Sequence, residues 1–206
     1  MIHIDAYILL PEYQTNTWLV WDDVSQEAIL VDPAGISLEL DSKLDTLKLK
    51  LVLVTHGHGD HIGGCAHYSQ KYDAPVAIHE QDAQRLIDSR KNLSEYMGTP
   101  ISLPAADRLL REGEIILLGQ YLGVVIHTPG HTPGSICFYI DKFLISGDTL
   151  FELSIGRTDF PGGSHQQIID SIRSKLYSLP DEVVVFPGHG PRTSIGMEKL
   201  NNPFVR

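Results

Sequence analysis

The chain has 206 residues, 42% of them apolar, and carries a formal charge of −10 at pH 7. That is enough apolar material for one packed domain, 1–206, while the acidic balance and the scatter of Lys and Arg argue against nucleic acid as a partner. The start shows no export signal, no stretch approaches the roughly 18 apolar residues of a membrane helix, and Cys65 and Cys137 are too few for a disulfide framework, so a cytoplasmic chain without a membrane partner is expected, taken as a monomer.

Residues 2–10 are mostly apolar, 15–21 alternate, and 27–31 form a short apolar run closed by Asp32-Pro33; all three read as strands. Leu38, Leu40, Leu44 and Leu47 stand near helical spacing. Residues 51–54 are a buried-type strand, 62–71 a helix, 75–78 a strand and 80–88 a helix. The least regular part is 89–112, broken by Gly98-Thr99-Pro100 and Pro104, which reads as a lid or a spacer. Strand-like runs follow at 114–118, 122–126, 135–140 and 143–145. Ser164 and Gln167 make a capping-box pattern that opens a helix with Ile168, Ile172, Leu176 and Leu179 on one face. Residues 183–186 form a last buried strand. Strands interleaved with a few helices, with no repeat and no linker, indicate an α/β or α+β domain rich in sheet.

Directly after 51–54 comes Thr55-His56-Gly57-His58-Gly59-Asp60-His61, which packs three imidazoles and a carboxylate into six residues. Imidazole with carboxylate is a ligand set for zinc, iron or manganese, and the glycines allow a sharply bent backbone to aim the side chains at one place. Further candidates share this context. His131 lies in Thr-Pro-Gly-His-Thr-Pro-Gly, Asp148 ends an apolar strand in Ser-Gly-Asp-Thr, and His189 ends another in Pro-Gly-His-Gly. Loops at strand ends are where a rigid scaffold presents functional groups. His3, His67, His79, His127 and His165 read instead as solvated or hydrogen-bonded side chains, with His165 near the site but not binding. The two cysteines read as small buried hydrophobes.

His-x-His-x-Asp-His followed by distant His, Asp and His in these settings resembles the metallo-β-lactamase fold superfamily, over essentially the whole chain. The resemblance implies a four-layer αββα sandwich with the site along one edge of its two sheets. It implies two divalent ions, of zinc, iron or manganese. His56, His58 and His131 would bind the first, Asp60, His61 and His189 the second, and Asp148 would bridge them. Two such ions share and activate one water, and the hydroxide attacks a carbonyl or phosphoryl centre. Asp60 is then both ligand and catalytic group.

The segment after Asp148 is more specific. Gly156-Arg157-Thr158-Asp159 followed by Pro161-Gly162-Gly163 is similar to the glyoxalase II-like branch, the hydroxyacylglutathione hydrolases. This implies cleavage of a small-molecule thioester such as S-D-lactoylglutathione. A thiolate leaves readily, since its conjugate acid has a pKa of roughly 8.5. Arg157 stands where that family has a glutathione-contacting lysine, so it either binds a substrate carboxylate or ties down its own loop through Asp159. The family's accompanying tyrosine has no equivalent, and the chain has no room for the family's extra C-terminal glutathione-binding helical domain, so it resembles the short, prokaryotic-type members. The main rival is a persulfide dioxygenase, which shares the motif and uses one Fe(II) on two His and one Asp, here His56, His131 and Asp148. A binding module needs closed coordination, a nuclease is disfavoured by the charge, and a secreted lactamase by the lack of an export signal.

Overall fold

A computed structural model describes residues 1–205. Its first sheet has six strands in chain order: β1 (Ile2–Leu10), β2 (Thr15–Asp22), β3 (Glu27–Val31), β4 (Lys48–Val54), β5 (Val76–His79) and β6 (Arg108–Leu110). The first three are antiparallel neighbours; β3 to β6 are parallel. Parallel neighbours need crossovers. These carry α1 (Leu38–Leu44), α2 (Gly59–Ile62), α3 (Cys65–Tyr72) and α4 (Ala83–Ile87). The second sheet comprises β7 (Ile115–Leu118), β8 (Tyr121–His127), β9 (Ile136–Ile140), β10 (Phe143–Gly147), β13 (Val184–Pro187) and β14 (Thr193–Ser194), in the order β14-β13-β10-β9-β8-β7. A small hairpin of β11 (Leu150–Phe151) and β12 (Ser154–Ile155) follows β10, then α5 (His165–Ser174), and α6 (Ile195–Asn201) follows β14.

Alternation along the central strands divides the apolar residues between two faces. On the inner face, Ile29, Val31, Leu51 and Leu53 of the first sheet meet Ile136, Phe138, Ile140 and Ile145 of the second. On the outer faces, Leu30, Val52 and Val54 pack under Leu40, Leu44 and Tyr68 of the helices, while Cys137, Leu144 and Val185 pack under Ile168, Ile172 and Ile195. This is the four-layer αββα sandwich, with both cysteines buried and unpaired.

Most expected strands lie within a residue or two of their observed bounds. The helix expected over 62–71 is instead two helices broken at Gly63-Gly64. A β-carbon on Gly63 would land on the carbonyl oxygen of Ala34, and one on Gly64 on that of Gly35; the Gly64 N–H donates to Pro33 O at 2.7 Å. The 80–88 helix shrinks to α4, which opens on Asp82. Helix α1 stops at Leu44 because the Asp45 and Leu47 amides close a turn onto Asp41 and Leu44. Ser164 caps α5 as expected, accepting from Gln167 N at 3.4 Å, but the helix ends at Ser174 and Leu176 falls in a separate 3-10 turn. The irregular 89–112 segment contributes the edge strand β6 and a 3-10 turn, Ser94–Met97. Helix α6 had no counterpart in the reading of the sequence.

Candidate metal centre

All seven expected ligand residues converge at one end of the sandwich, each on a segment that leaves a strand. His56 follows β4, and His58 caps the short helix α2 that holds Asp60 and His61. The β8–β9 turn carries His131, Asp148 follows β10 and His189 follows β13. Gly57 and Gly59 were expected to supply a sharp bend, but neither has a positive φ. Their smallness serves close approach instead: a β-carbon on Gly57 would collide with Arg85, and one on Gly59 would come within 2.7 Å of Ser94 Cβ.

The expected ligands form two groups of three, His56–His58–His131 and Asp60–His61–His189, and Asp32 makes a third with His56 and His61; in each the atoms lie within 4.8 Å of one another. In the first, His131 Nε2 lies 3.2 Å from His56 Nε2 and 2.9 Å from His58 Nδ1. In the second, His61 and His189 approach Nε2 to Nε2 at 3.3 Å, and Asp60 Oδ2 lies 3.4 Å from His189 Nε2. Asp148 stands between them, 3.5 Å from His131 and His189 through Oδ2 and 3.5 Å from His61 through Oδ1.

The far nitrogens explain why the near ones converge. His131 Nδ1 donates to Arg157 O at 2.7 Å, His189 Nδ1 to Tyr13 O at 3.0 Å, and His61 Nδ1 to Asp32 Oδ2 at 3.0 Å. Thr55 commits its hydroxyl proton to Asp32 at 2.6 Å, so its oxygen accepts from His56 Nδ1 at 3.2 Å. Each bond holds its Nδ1 proton and turns the Nε2 atom inward, the arrangement that orients imidazoles toward a cation. Asp148 Oδ1, buried between the two groups, has no hydrogen-bond partner, and neither has the other ring nitrogen of His58, Nε2. Nitrogen and carboxylate donors converging with unfilled valences fit divalent metal.

Two states of charge coexist in the cluster. Burial, reinforced by the neighbouring imidazoles, pushes His58 down to about 3 and His56 well below its ordinary value. Burial opposes charge on His61 and His189 too, but the surrounding carboxylates, chiefly Asp60 and Asp148, override it and raise them to about 9 and about 11. For Asp148 and Asp60, burial is likewise outweighed, by His61 first, and both carboxyls are held below the usual range.

A cavity of about 810 Å³ opens beside the cluster. Tyr13, Tyr96, Met97, Phe151, Arg157 and Phe160 are among its walls, so the 89–112 segment is a wall of the site. The Arg157 guanidinium lies 3.8 Å over the Phe160 ring and makes two 2.7 Å bonds to Asp159, so the loop-tying contact is present at a position that also lines the cavity. The remaining histidines keep their expected structural roles: His3 stacks on Trp21, His67 contacts Asp41, His79 stacks on His127, and His165 is exposed. Sequence reasoning missed Asp32. Its signal was available, since Asp32 ends an apolar strand just as Asp148 does.

The metallo-beta-lactamase superfamily model matches residues 10–189. The hydroxyacylglutathione hydrolase GloC of Haemophilus influenzae is 38% identical over 199 residues, spanning 94% of this chain and 93% of that protein. Among solved structures, the BLEG-1 B3 metallo-beta-lactamase is 38% identical with a TM-score of 0.91, covering 98% of this chain and 99% of that one. TTHA1623, solved in a di-iron-bound form, is 36% identical with a TM-score of 0.84, covering 97% and 99%. No helix among the described residues is long and apolar enough to cross a membrane. A metal-ready cluster at the edge of an αββα sandwich and a family match across most of its length make this chain a member of the metallo-beta-lactamase superfamily.

Proposed function

We propose that the chain is a metal-dependent thioester hydrolase acting on hydroxyacyl-glutathiones, S-D-lactoylglutathione foremost. The observation that carries the reading is the pair of three-ligand groups joined by Asp148 and opening on a cavity with Arg157 on its wall. The likeness to GloC supports the substrate class.

His56, His58 and His131 would hold one divalent ion and Asp60, His61 and His189 a second, with Asp148 shared. When bound, these ions supply a water of lowered pKa and a Lewis acid for the thioester carbonyl. The chain's own groups do the rest. Asp60, on the cavity wall, accepts the proton of the attacking water. Arg157 keeps one edge on Asp159 and offers its remaining N–H donors to a substrate carboxylate. Phe160 and Phe151 exclude bulk water around the acyl carbon. The thiolate departs without a strong acid, as its pKa of roughly 8.5 allows.

Metal-loaded protein should hydrolyse S-D-lactoylglutathione, and His58→Ala should abolish turnover. The same preparation is assayed on a lactam, because of the likeness to BLEG-1, and for oxygen uptake with glutathione persulfide, because His56, His131 and Asp148 form a two-His-one-carboxylate subset. Inactivity of the loaded protein on every thioester tried, or one iron per chain with oxygen uptake, overturns the reading.

A further inference from the structure

Outside the cluster, the densest convergence of donors on a buried group is at Asp82, on the turn that opens α4. Its side chain is inaccessible to solvent. Oδ2 accepts from Gly57 N at 2.8 Å and from the Thr132 hydroxyl at 2.8 Å. Gly57 is the residue between His56 and His58, and Thr132 adjoins His131. Oδ1 accepts from Gly134 N at 2.9 Å and faces Arg85 Nε at 3.3 Å. One carboxylate therefore grips both backbone segments that present the first three imidazoles. With its proton committed to Asp82, Thr132 accepts from the Ser135 hydroxyl at 2.8 Å, and the Ser135 oxygen accepts from Thr132 N at 3.0 Å, closing a small ring.

Arg85 extends the grip. It donates to Lys91 O at 2.6 Å and to Pro161 O at 2.9 Å. Asn92, which donates to Arg85 O at 2.9 Å, accepts the Gly59 amide at 2.7 Å. The His56–His61 loop, the 88–92 segment, the His131 turn and the loop after Asp148 thus share one anchor, the buried Asp82 paired with the partly buried Arg85. A buried carboxylate is costly unless fully paired, and this one is met by three hydrogen-bond donors and a guanidinium.

We propose that Asp82, backed by Arg85, is the positioning residue that sets the spacing of His56, His58 and His131. It touches neither ligand atoms nor the cavity and acts through Gly57 and Thr132. The inference rests on reading those three imidazoles as one metal-binding group, but not on the reaction catalysed there.

The test is metal binding to the metal-free protein, by zinc titration against a chromophoric chelator and by cobalt(II) absorption. Asp82→Asn keeps the shape but turns an N–H toward groups that themselves donate. Its expected effect is an affinity about 10–100-fold weaker at one site, the range typical when a ligand's support is removed. That site should be the one lost in His58→Ala, so Asp82→Asn adds nothing to His58→Ala, while combined with His189→Ala it weakens both sites. Thr132→Val, which cuts a single bond, should give a smaller loss at the same site and keeps the test open if Asp82→Asn does not fold. Asp107→Asn removes a comparable carboxylate-to-amide bond, to Val76 N at 2.8 Å, away from the ligands and should leave both affinities unchanged. Folded Asp82→Asn with wild-type affinities, an equal loss at both sites, or, where that variant is unfolded, Thr132→Val with wild-type affinity would overturn the proposal.

Discussion

Asp32 and His61 meet carboxylate to imidazole at 3.0 Å, with both side chains closed to solvent. Asp32 also takes the Thr55 amide at 2.7 Å and the Thr55 hydroxyl at 2.6 Å, so one carboxylate sets the orientation of His61 directly and of His56 through Thr55. Its oxygens also lie close to His56 and His61 as a third set of clustered donor atoms, but they are already engaged by Thr55 and by His61 Nδ1, so Asp32 supports the ligands. Asp32→Asn retains a residue tolerant of the left-handed backbone at φ 49° but turns an N–H toward donors. Metal-free Asp32→Asn should lose about 1–3 kcal/mol in denaturant unfolding, the cost of a buried donor left unpaired. Its metal affinity should fall about 10–100-fold. Unchanged chelator competition by a folded Asp32→Asn would remove Asp32 from this role.

Two glycines beside Asp148 should fail in different ways. A β-carbon on Gly156 would collide with the Asp148 backbone carbonyl, whereas one on Gly188 would meet the Asp148 Oδ1 atom and come within 2.8 Å of His61 Cε1. Backbone cannot yield cheaply, so Gly156→Ala should cost about 1–3 kcal/mol of stability. The Asp148 carboxylate can swing, so Gly188→Ala should leave unfolding closer to wild type while lowering metal content. Thermal melts of both metal-free variants, paired with metal analysis after loading, separate the two outcomes.

What was legible in the sequence followed from local rules. The ligand cluster stood out because imidazoles and acids rarely crowd into strand-end turns, and the central strands because runs such as Leu51–Val54 are buried on both faces. What was illegible depended on contacts remote in sequence. The break at Gly63-Gly64 exists because the loop after β3 presses its carbonyls there. The three residues of β6 carry no periodicity of their own and pair only because β5 lies beside them. Helix α6 is secured by the buried Glu198, which accepts from Leu153 N, Thr193 and Asn202, an arrangement no local pattern announces. Asp82 looks like an ordinary turn acid until the His131 turn folds against it.

The substrate side of the site is tested at Arg157. Its pair with Asp159 is solvent-exposed, both side chains being more than half accessible, so it contributes little to stability. Arg157→Ala should leave unfolding nearly unchanged. If the guanidinium holds a substrate carboxylate, the lost charged hydrogen bonds amount to about 1.5–3 kcal/mol, and KM for glutathione thioesters should rise about 10–100-fold with kcat less affected. A thioester without carboxylates should show no such rise. Equal effects on both substrates would assign Arg157 to loop support.

Metal removal should lower thermal stability. A ligand at 100 times its Kd stabilises by about 2.7 kcal/mol. For a domain of this size, that shifts Tm by about 5–11 °C. Chelator-treated and reloaded protein, compared by calorimetry, should differ by at least this much, and His58→Ala should shrink the difference.

The two groups should also load differently with pH. In the metal-free cluster, His61 and His189 are raised to about 9 and about 11 by the carboxylates they face, so at pH 7 both carry protons on the side a cation must occupy. His56 and His58, depressed by burial, are already neutral there. A cation entering His56–His58–His131 therefore displaces no proton from those two, whereas one entering Asp60–His61–His189 must displace up to two. Metal competes with protons for the same lone pairs. Raising pH toward 9 reduces that competition at His61, so affinity at the second group should climb more steeply with pH than affinity at the first. Zinc titrations at pH 6, 7, 8 and 9, with proton release followed by calorimetry in buffers of different ionisation enthalpy, measure both. The expected pattern is two binding events of which the second releases more protons than the first, with His189→Ala abolishing the second. Equal proton release at both sites, or a pH-independent second affinity, would show that the carboxylates do not hold the charges on His61 and His189.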